Sequence, residues 1–184
     1  MYRQKNTDKH PAYPCFFITF APFNLRSKNV HFVLIFGTFR FADYMTAMYT
    51  AVATATGGRN RKVTSDNGVL SLEIRSPKAL GGANDDYTNP EQIFAAGYAA
   101  CFDTALNLVI RRTKVATGET SVTAHVSVGK LDNGGFIFAV TLQVNIPNVS
   151  LEEAKELAAK ADQVCPYSNS TRGNIEVTFE VSNN

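Results

Sequence analysis

Chemistry in this chain of 184 residues has few side chains to choose from: three cysteines, Cys15, Cys101 and Cys165, and three histidines, His10, His31 and His125. The histidines are scattered, and His125 falls on the polar side of an alternating segment, where a surface residue is expected. Neither a Cys/His metal cluster nor the Cys–His dyad of a cysteine protease finds support in this spacing. Gly57-Gly58 and Gly81-Gly82 lack the surroundings of a phosphate loop, so nucleotide chemistry has no foothold. That leaves sulfur. An odd, sparse set of cysteines is unlike the dense, even frameworks of small secreted domains, and it points to a reducing compartment, the cytoplasm. Taken alone, Cys101 reads as packing, because a free cysteine in an apolar run behaves as a small hydrophobe. An unperturbed thiol, with a pKa of about 8.5, is only a few per cent ionised at neutral pH, and apolar surroundings reduce that fraction. A nucleophile here therefore needs a cation beside it.

The element that must hold Cys101 is Asn89 to Lys114, NPEQIFAAGYAACFDTALNLVIRRTK. Asn89 is a helix cap, Pro90 suits the first helical position, and Gln92 stands where a capping-box partner reaches back. Glu91 lies in the first turn and Arg111, Arg112 and Lys114 at the other end, each on the side the helix dipole favours. Ile93 to Ile110 is apolar or small nearly all round, broken mainly by Tyr98, Asp103, Thr104 and Asn107, which predicts a buried helix. The small residues Ala95, Ala96, Gly97, Ala99 and Ala100 around Cys101 let another backbone come close.

Tyr49 to Thr56 alternates and reads as a strand with one close-packed face; Gly57-Gly58 ends it, and Asp66-Asn67-Gly68 marks a tight turn. Val69 to Arg75 is a second strand, and Leu80 to Thr88 is loop. Ser121 to Val128 and Phe136 to Ile146 form a hairpin around Asp132-Asn133-Gly134-Gly135, with Phe136, Phe138, Val140, Leu142, Val144 and Ile146 facing inward. Ser150-Leu151-Glu152-Glu153 is a capping box opening an amphipathic helix from Leu151 to Val164. CPYSNSTRGN then reads as loop, and Ile175 to Val181 as a last strand. The whole is an α+β domain of antiparallel strands with a buried central helix.

The net charge of +2 and the lack of any basic strip interleaved with aromatics argue against a nucleic-acid partner. No apolar run approaches the roughly 20 residues that a membrane-spanning helix requires, so no membrane partner is expected. Residues 1–47 differ from residues 48–184 in being basic and rich in Phe and Tyr. They are expected to be either an amino-terminal appendage or the product of an upstream start, with Met45 or Met48 the true beginning; composition favours the second.

Four segments, YTAVATATGGRNRKV, SPKALGG, TNPEQIFAAGYAACF and VCPYSNSTRGNIEV, together resemble the organic hydroperoxide resistance (Ohr) branch of the OsmC/Ohr family, over about Met48 to Val181. The resemblance implies an OsmC/Ohr-like fold and a thiol peroxidase that reduces organic hydroperoxides to alcohols in defence against oxidative stress. It makes Cys101 peroxidatic and Cys165 resolving, and it completes the site with Arg59 and Glu91. It also implies an intertwined homodimer, no bound cofactor or metal, and an external dithiol reductant, lipoyl groups on a carrier protein or dihydrolipoamide. The OsmC branch, with another substrate preference, and a non-enzymatic dimer binding an apolar ligand are the alternatives.

Physical chemistry fits those roles. Arg59 stays charged, and its planar fork can hold sulfur, peroxide and a carboxylate together, while Glu91 would fix the guanidinium. Glu91 and Cys101 are ten residues apart, about 15 Å of helical rise, so one site can use both only if the helix breaks or Glu91 comes from a second subunit. A two-fold dimer with sites near its boundary is expected. A disulfide needs Cα atoms within about 4.4 to 6.8 Å, so the VCPYS segment must fold back onto the central helix.

Overall fold

Three short strands, β1 (Ala53–Thr56), β2 (Lys62–Ser65) and β3 (Ser71–Glu73), pair antiparallel in the order β1-β2-β3 in the computed structural model, which describes residues 46–58, 61–83 and 85–184. The expected tight turn joins β2 to β3. Gly68 takes φ +72°, and its N–H donates to the Ser65 carbonyl at 3.0 Å. β1 is shorter than its alternating sequence predicts, and every residue in it is exposed within this chain. β2 was not expected, since its four residues hide between a glycine pair and a turn. The residues from Ala53 onward form one unit, and residues 46–52 belong to another. Residues 1–45, and with them Cys15, His10 and His31, lie outside the described residues.

Beyond β3, the buried Ile74 forms a parallel bridge with Thr88, and the Arg75 N–H donates to the Thr88 carbonyl at 2.9 Å. The intervening SPKALGG segment makes a single 3₁₀ turn at Lys78–Leu80, closed by Gly81 at φ +83°. At Gly82 a Cβ would collide with the Ser76 carbonyl, so this close approach requires glycine. The bridge delivers the chain to helix α1 (Pro90–Thr113), where Asn89 Oδ1 accepts the Gln92 N–H at 2.8 Å as the sequence predicts.

Within one chain α1 is buried on one face, not all round. Tyr98, Phe102, Ala105, Leu106, Val109 and Ile110 turn into the core, while Ala96, Ala100 and Thr104, spaced at helical intervals on another stripe, stay exposed. By length and apolar composition alone this 24-residue helix would also suffice to cross a bilayer, contrary to the expectation from sequence. Its apolar face is instead the centre of the domain's own core.

That core lies between α1 and a second sheet, β4 (Ser121–Lys130), β5 (Phe136–Asn145) and β6 (Glu176–Ser182), in the order β4-β5-β6. β4 and β5 are the expected antiparallel hairpin. β6 pairs with β5 in parallel, and a parallel neighbour needs a crossover connection. The crossover consists of α2 (Leu151–Val164) and α3 (Pro166–Thr171). Ala154, Ala158 and Ala161 on α2 are buried small residues that let it lie close to α1. The segment read as loop is helical at α3, where Pro166 takes a first-turn position and the Ser170 hydroxyl caps back onto the Pro166 carbonyl at 2.8 Å. Phe136, expected inward, is 69% exposed at the start of β5 beside the hairpin turn.

Candidate thiol site

Cys101 sits mid-helix on α1, two turns beyond Phe94 and one beyond Gly97, so the three share a face. Cys165 is the hinge residue between α2 and α3. Its N–H donates to the Ala161 carbonyl and its carbonyl accepts the Asn169 N–H, at 2.9 and 3.0 Å, so both helices fix its backbone. The two sulfurs lie 3.8 Å apart, although 64 positions separate them in the chain. Cys165 is fully buried and Cys101 is half-buried, which leaves Cys101 as the sulfur a reagent meets first.

Tyr167, the second residue of α3, closes the crevice. Its backbone hydrogen-bonds to Cys101, and its ring lies across Gly97, where a Cβ would stand 2.6 Å from the phenol oxygen. Phe94 and Tyr98 flank that ring at centroid distances of 5.8 and 5.4 Å, and Phe94 reaches Phe138 on β5 at 5.1 Å. Such spacings are those of packed aromatic pairs, and they give the crevice an apolar wall.

Burial pushes the Cys101 thiol above its usual pKa; the Tyr167 backbone hydrogen bond pulls down, and the neighbouring Cys165 pushes up again. Upward pressure wins, so these neighbours favour the thiol over the thiolate. Tyr98 is buried beneath them, with its hydroxyl 3.1 Å from Ser168 Oγ and 3.3 Å from Thr171 Oγ1. Burial raises its pKa, partly offset by those two hydroxyls, so the phenol stays protonated. Below α3, Arg172 donates to Asp162 Oδ2 at 2.8 Å and to the Asp162 carbonyl at 3.0 Å, clamping the end of the crossover to α2. Sequence reading took only the cysteine from VCPYSNSTRGN and missed Tyr167, Ser168, Thr171 and Arg172. The one local signal was Ser168 and Thr171, spaced to share a helix face.

Glu91 is elsewhere. It is 9% exposed in the first turn of α1, so it is not the solvated end-charge that its position would suggest. Since α1 runs unbroken from Pro90 to Thr113, about 15 Å of rise separates Glu91 from Cys101 of the same chain. Glu91 instead lines a cavity of about 460 Å³ with Ser76, Leu80, Pro90, Val128 and Phe138. Arg59 lies outside the described residues. His125 is exposed on β4, with Nε2 3.0 Å from Gln143 Oε1, as a surface residue should be. Among the described residues, no three His, Cys, Asp or Glu side chains gather as metal ligands would.

Comparison with known proteins places this arrangement in context. Residues 82–180 match the family model described as OsmC-like protein. An organic hydroperoxide resistance protein of Xanthomonas axonopodis pv. citri is 47% identical over 136 residues, covering 73% of this chain and 95% of the relative. The organic hydroperoxide resistance protein OhrA of Bacillus subtilis is 49% identical over 137 residues, covering 73% and 96%. Among solved structures, an organic hydroperoxide resistance protein from Elizabethkingia anophelis superposes with a TM-score of 0.74 at 66% identity, over 76% of this chain and all of the other.

Proposed function

We propose, from the premise that the chain belongs to the organic hydroperoxide resistance branch of the OsmC-like family, that it meets that role as a two-cysteine thiol peroxidase. Resistance to organic hydroperoxides is the function; a disulfide cycle between Cys101 and Cys165 is the proposed means. The observation that supports it is the meeting of two sulfurs at 3.8 Å, the outer one half-buried and the inner one enclosed.

The Cys101 thiolate attacks the terminal peroxide oxygen, the O–O bond breaks, and the alkoxide takes a proton to leave as an alcohol. Cys101 is then a sulfenic acid. The Cys165 thiol displaces its hydroxyl as water, forming the disulfide before a second peroxide can oxidise Cys101 further. Exchange with an external dithiol returns both thiols. A lipoyl group or dihydrolipoamide is the proposed reductant, with no resident cofactor. Because the described neighbours of Cys101 hold its thiol protonated, ionisation is assigned to the Arg59 guanidinium. Glu91, too distant along an unbroken helix, serves the site of a second subunit and orients Arg59 there. The assembly is a two-fold homodimer in which the exposed stripe of α1 and the exposed β1 become covered. The cytoplasm, with its reducing poise, is the compartment such a cycle requires. Apolar walls from Phe94 and Phe138 favour fatty or aromatic hydroperoxides over hydrogen peroxide.

The test is consumption of cumene or tert-butyl hydroperoxide with dihydrolipoamide as reductant. Wild type turns over and Cys101→Ser falls to the uncatalysed background. Retained activity in Cys101→Ser removes the assigned nucleophile, and an inactive wild type favours a dimer that only binds an apolar ligand.

A further inference from the structure

We propose that Tyr98 is a positioning residue for disulfide formation: its buried hydroxyl, held by Ser168 and Thr171, fixes α3 against α1 so that Cys165 faces Cys101. The proposal rests on the disulfide cycle above, and it concerns a residue outside the expected set of four.

α3 has six residues, too few to hold a position by helix formation alone. Its placement must come from tertiary ties. Arg172 ties the end of α3 to Asp162 on α2, inside the crossover, and leaves α1 out. The Tyr167 backbone ties α3 to α1 through the Cys101 sulfur itself, which the reaction alters. Tyr98 is the tie, among the described hydrogen bonds, that joins the two sulfur-bearing elements without using sulfur.

The directions of these bonds can be assigned. The Thr171 hydroxyl has one proton, and its contacts with the Tyr167 carbonyl at 2.9 Å and the Ser168 carbonyl at 3.2 Å, neither of which can donate, are both shorter than its 3.3 Å contact with Tyr98. The shortest contact takes the proton, so toward Tyr98 the Thr171 hydroxyl accepts. Tyr98 therefore donates to Thr171 and accepts from Ser168. The relay runs Ser168, Tyr98, Thr171 and the Tyr167 carbonyl, ending on the residue whose backbone also holds Cys101. Tyr98 is fully buried and Ser168 and Thr171 nearly so, hence each hydroxyl would lose its partner at a cost that water cannot repair. Tyr98 remains a donor through neutral pH because burial keeps its proton on.

An aryl disulfide reagent reads the positioning without any peroxide. In a Cys15→Ser background, the Cys101 thiolate attacks dithiobis(nitrobenzoate) and releases one aryl thiolate. The Cys165 thiolate then attacks the mixed disulfide, forms the Cys101–Cys165 bond and releases a second. Tyr98→Phe should slow the second release by about ten- to thirtyfold, the effect of losing the two buried hydrogen bonds that its hydroxyl makes. Ser168→Ala and Thr171→Val should each give part of that loss, and Tyr98→Phe should add little on top of them together. Val144→Ala, a core truncation in β5, should lower the unfolding midpoint and leave the second release at its wild-type rate. With hydroperoxide, Tyr98→Phe should accumulate Cys101 sulfinic acid at lower peroxide concentrations, because each slow resolution exposes the sulfenic acid for longer. A folded Tyr98→Phe with the wild-type second release overturns the proposal, as does an equal slowing by Val144→Ala. Should Tyr98→Phe fail to fold, Ser168→Ala and Thr171→Val decide in the same way. A wild type that forms the disulfide with the aryl reagent yet consumes no hydroperoxide refutes the peroxidase reading alone, since the release rates still judge Tyr98.

Discussion

The middle of α1 and its first turn differ in how complete they are within one chain. Around Cys101, two helices and an aromatic wall converge, the partner sulfur is enclosed, and the described ties come from the same polypeptide. Around Glu91, the cavity is bordered by exposed Leu80 and Phe136, and the nearby β1-β2-β3 sheet consists of strands of three or four residues. A sheet that small does not persist without a cover. The proposed bond closure between the sulfurs therefore draws on groups of one chain, whereas ionising the first sulfur is assigned to groups that need a second copy.

Arg59→Ala probes the second half hardest. It should lower hydroperoxide consumption at neutral pH by about 10- to 100-fold, the difference between a largely ionised thiol and one a few per cent ionised. Because burial holds the remaining Cys101 thiol above its usual pKa, the variant's rate should climb on the alkaline side of the ordinary thiol range, where wild type is already level. An unchanged pH–rate profile breaks the assignment. Mixing subunits gives a smaller, sharper signal. Cys101→Ser chains, inactive alone, mixed with Glu91→Gln chains, impaired alone, should rise to about a quarter of wild-type activity after random re-pairing, since half the dimers hold one intact site. No recovery would return Glu91 to the site of its own chain. Gly97→Ala probes the first half. Helix propensity offers it a gain of up to about 1 kcal/mol, but the new methyl meets the Tyr167 hydroxyl, and overpacking costs about 1–3 kcal/mol. Urea unfolding should show a net loss of about 1 kcal/mol, and a stabilised variant would mean that the Tyr167 ring yields freely.

Local signals were legible where a few neighbouring residues decide. Asn89 with Pro90 and Ser150 with Glu153 set the starts of both long helices, and the strict alternation along β4 and β5 set their inward faces. α3 was not legible, because Ser, Asn and Thr favour turns as readily as a short helix, and only packing against Tyr98 decides between them. Nor was the parallel pairing of β6, since alternation names the faces of a strand and says nothing of its neighbours. Quoted as a motif, VCPYSNSTRGN yielded its sulfur. Its hydroxyls had no meaning until a tyrosine 70 positions earlier came beside them. Glu91 stood out only through the NPEQ motif, because a first-turn carboxylate is explained by the helix dipole alone and its burial leaves no mark on the local sequence.

Joining Cys101 to Cys165 would also staple together points 64 positions apart, a span holding the second half of α1, the β4–β5 hairpin and α2. In the chain-entropy picture such a loop takes about 4 kcal/mol of freedom from the unfolded polypeptide. In the proposed cycle the oxidised molecule would then be the tougher one, slower to melt and to be digested, and the molecule ready for its next substrate the more fragile. Reduction would then restore reactivity and surrender durability in the same stroke.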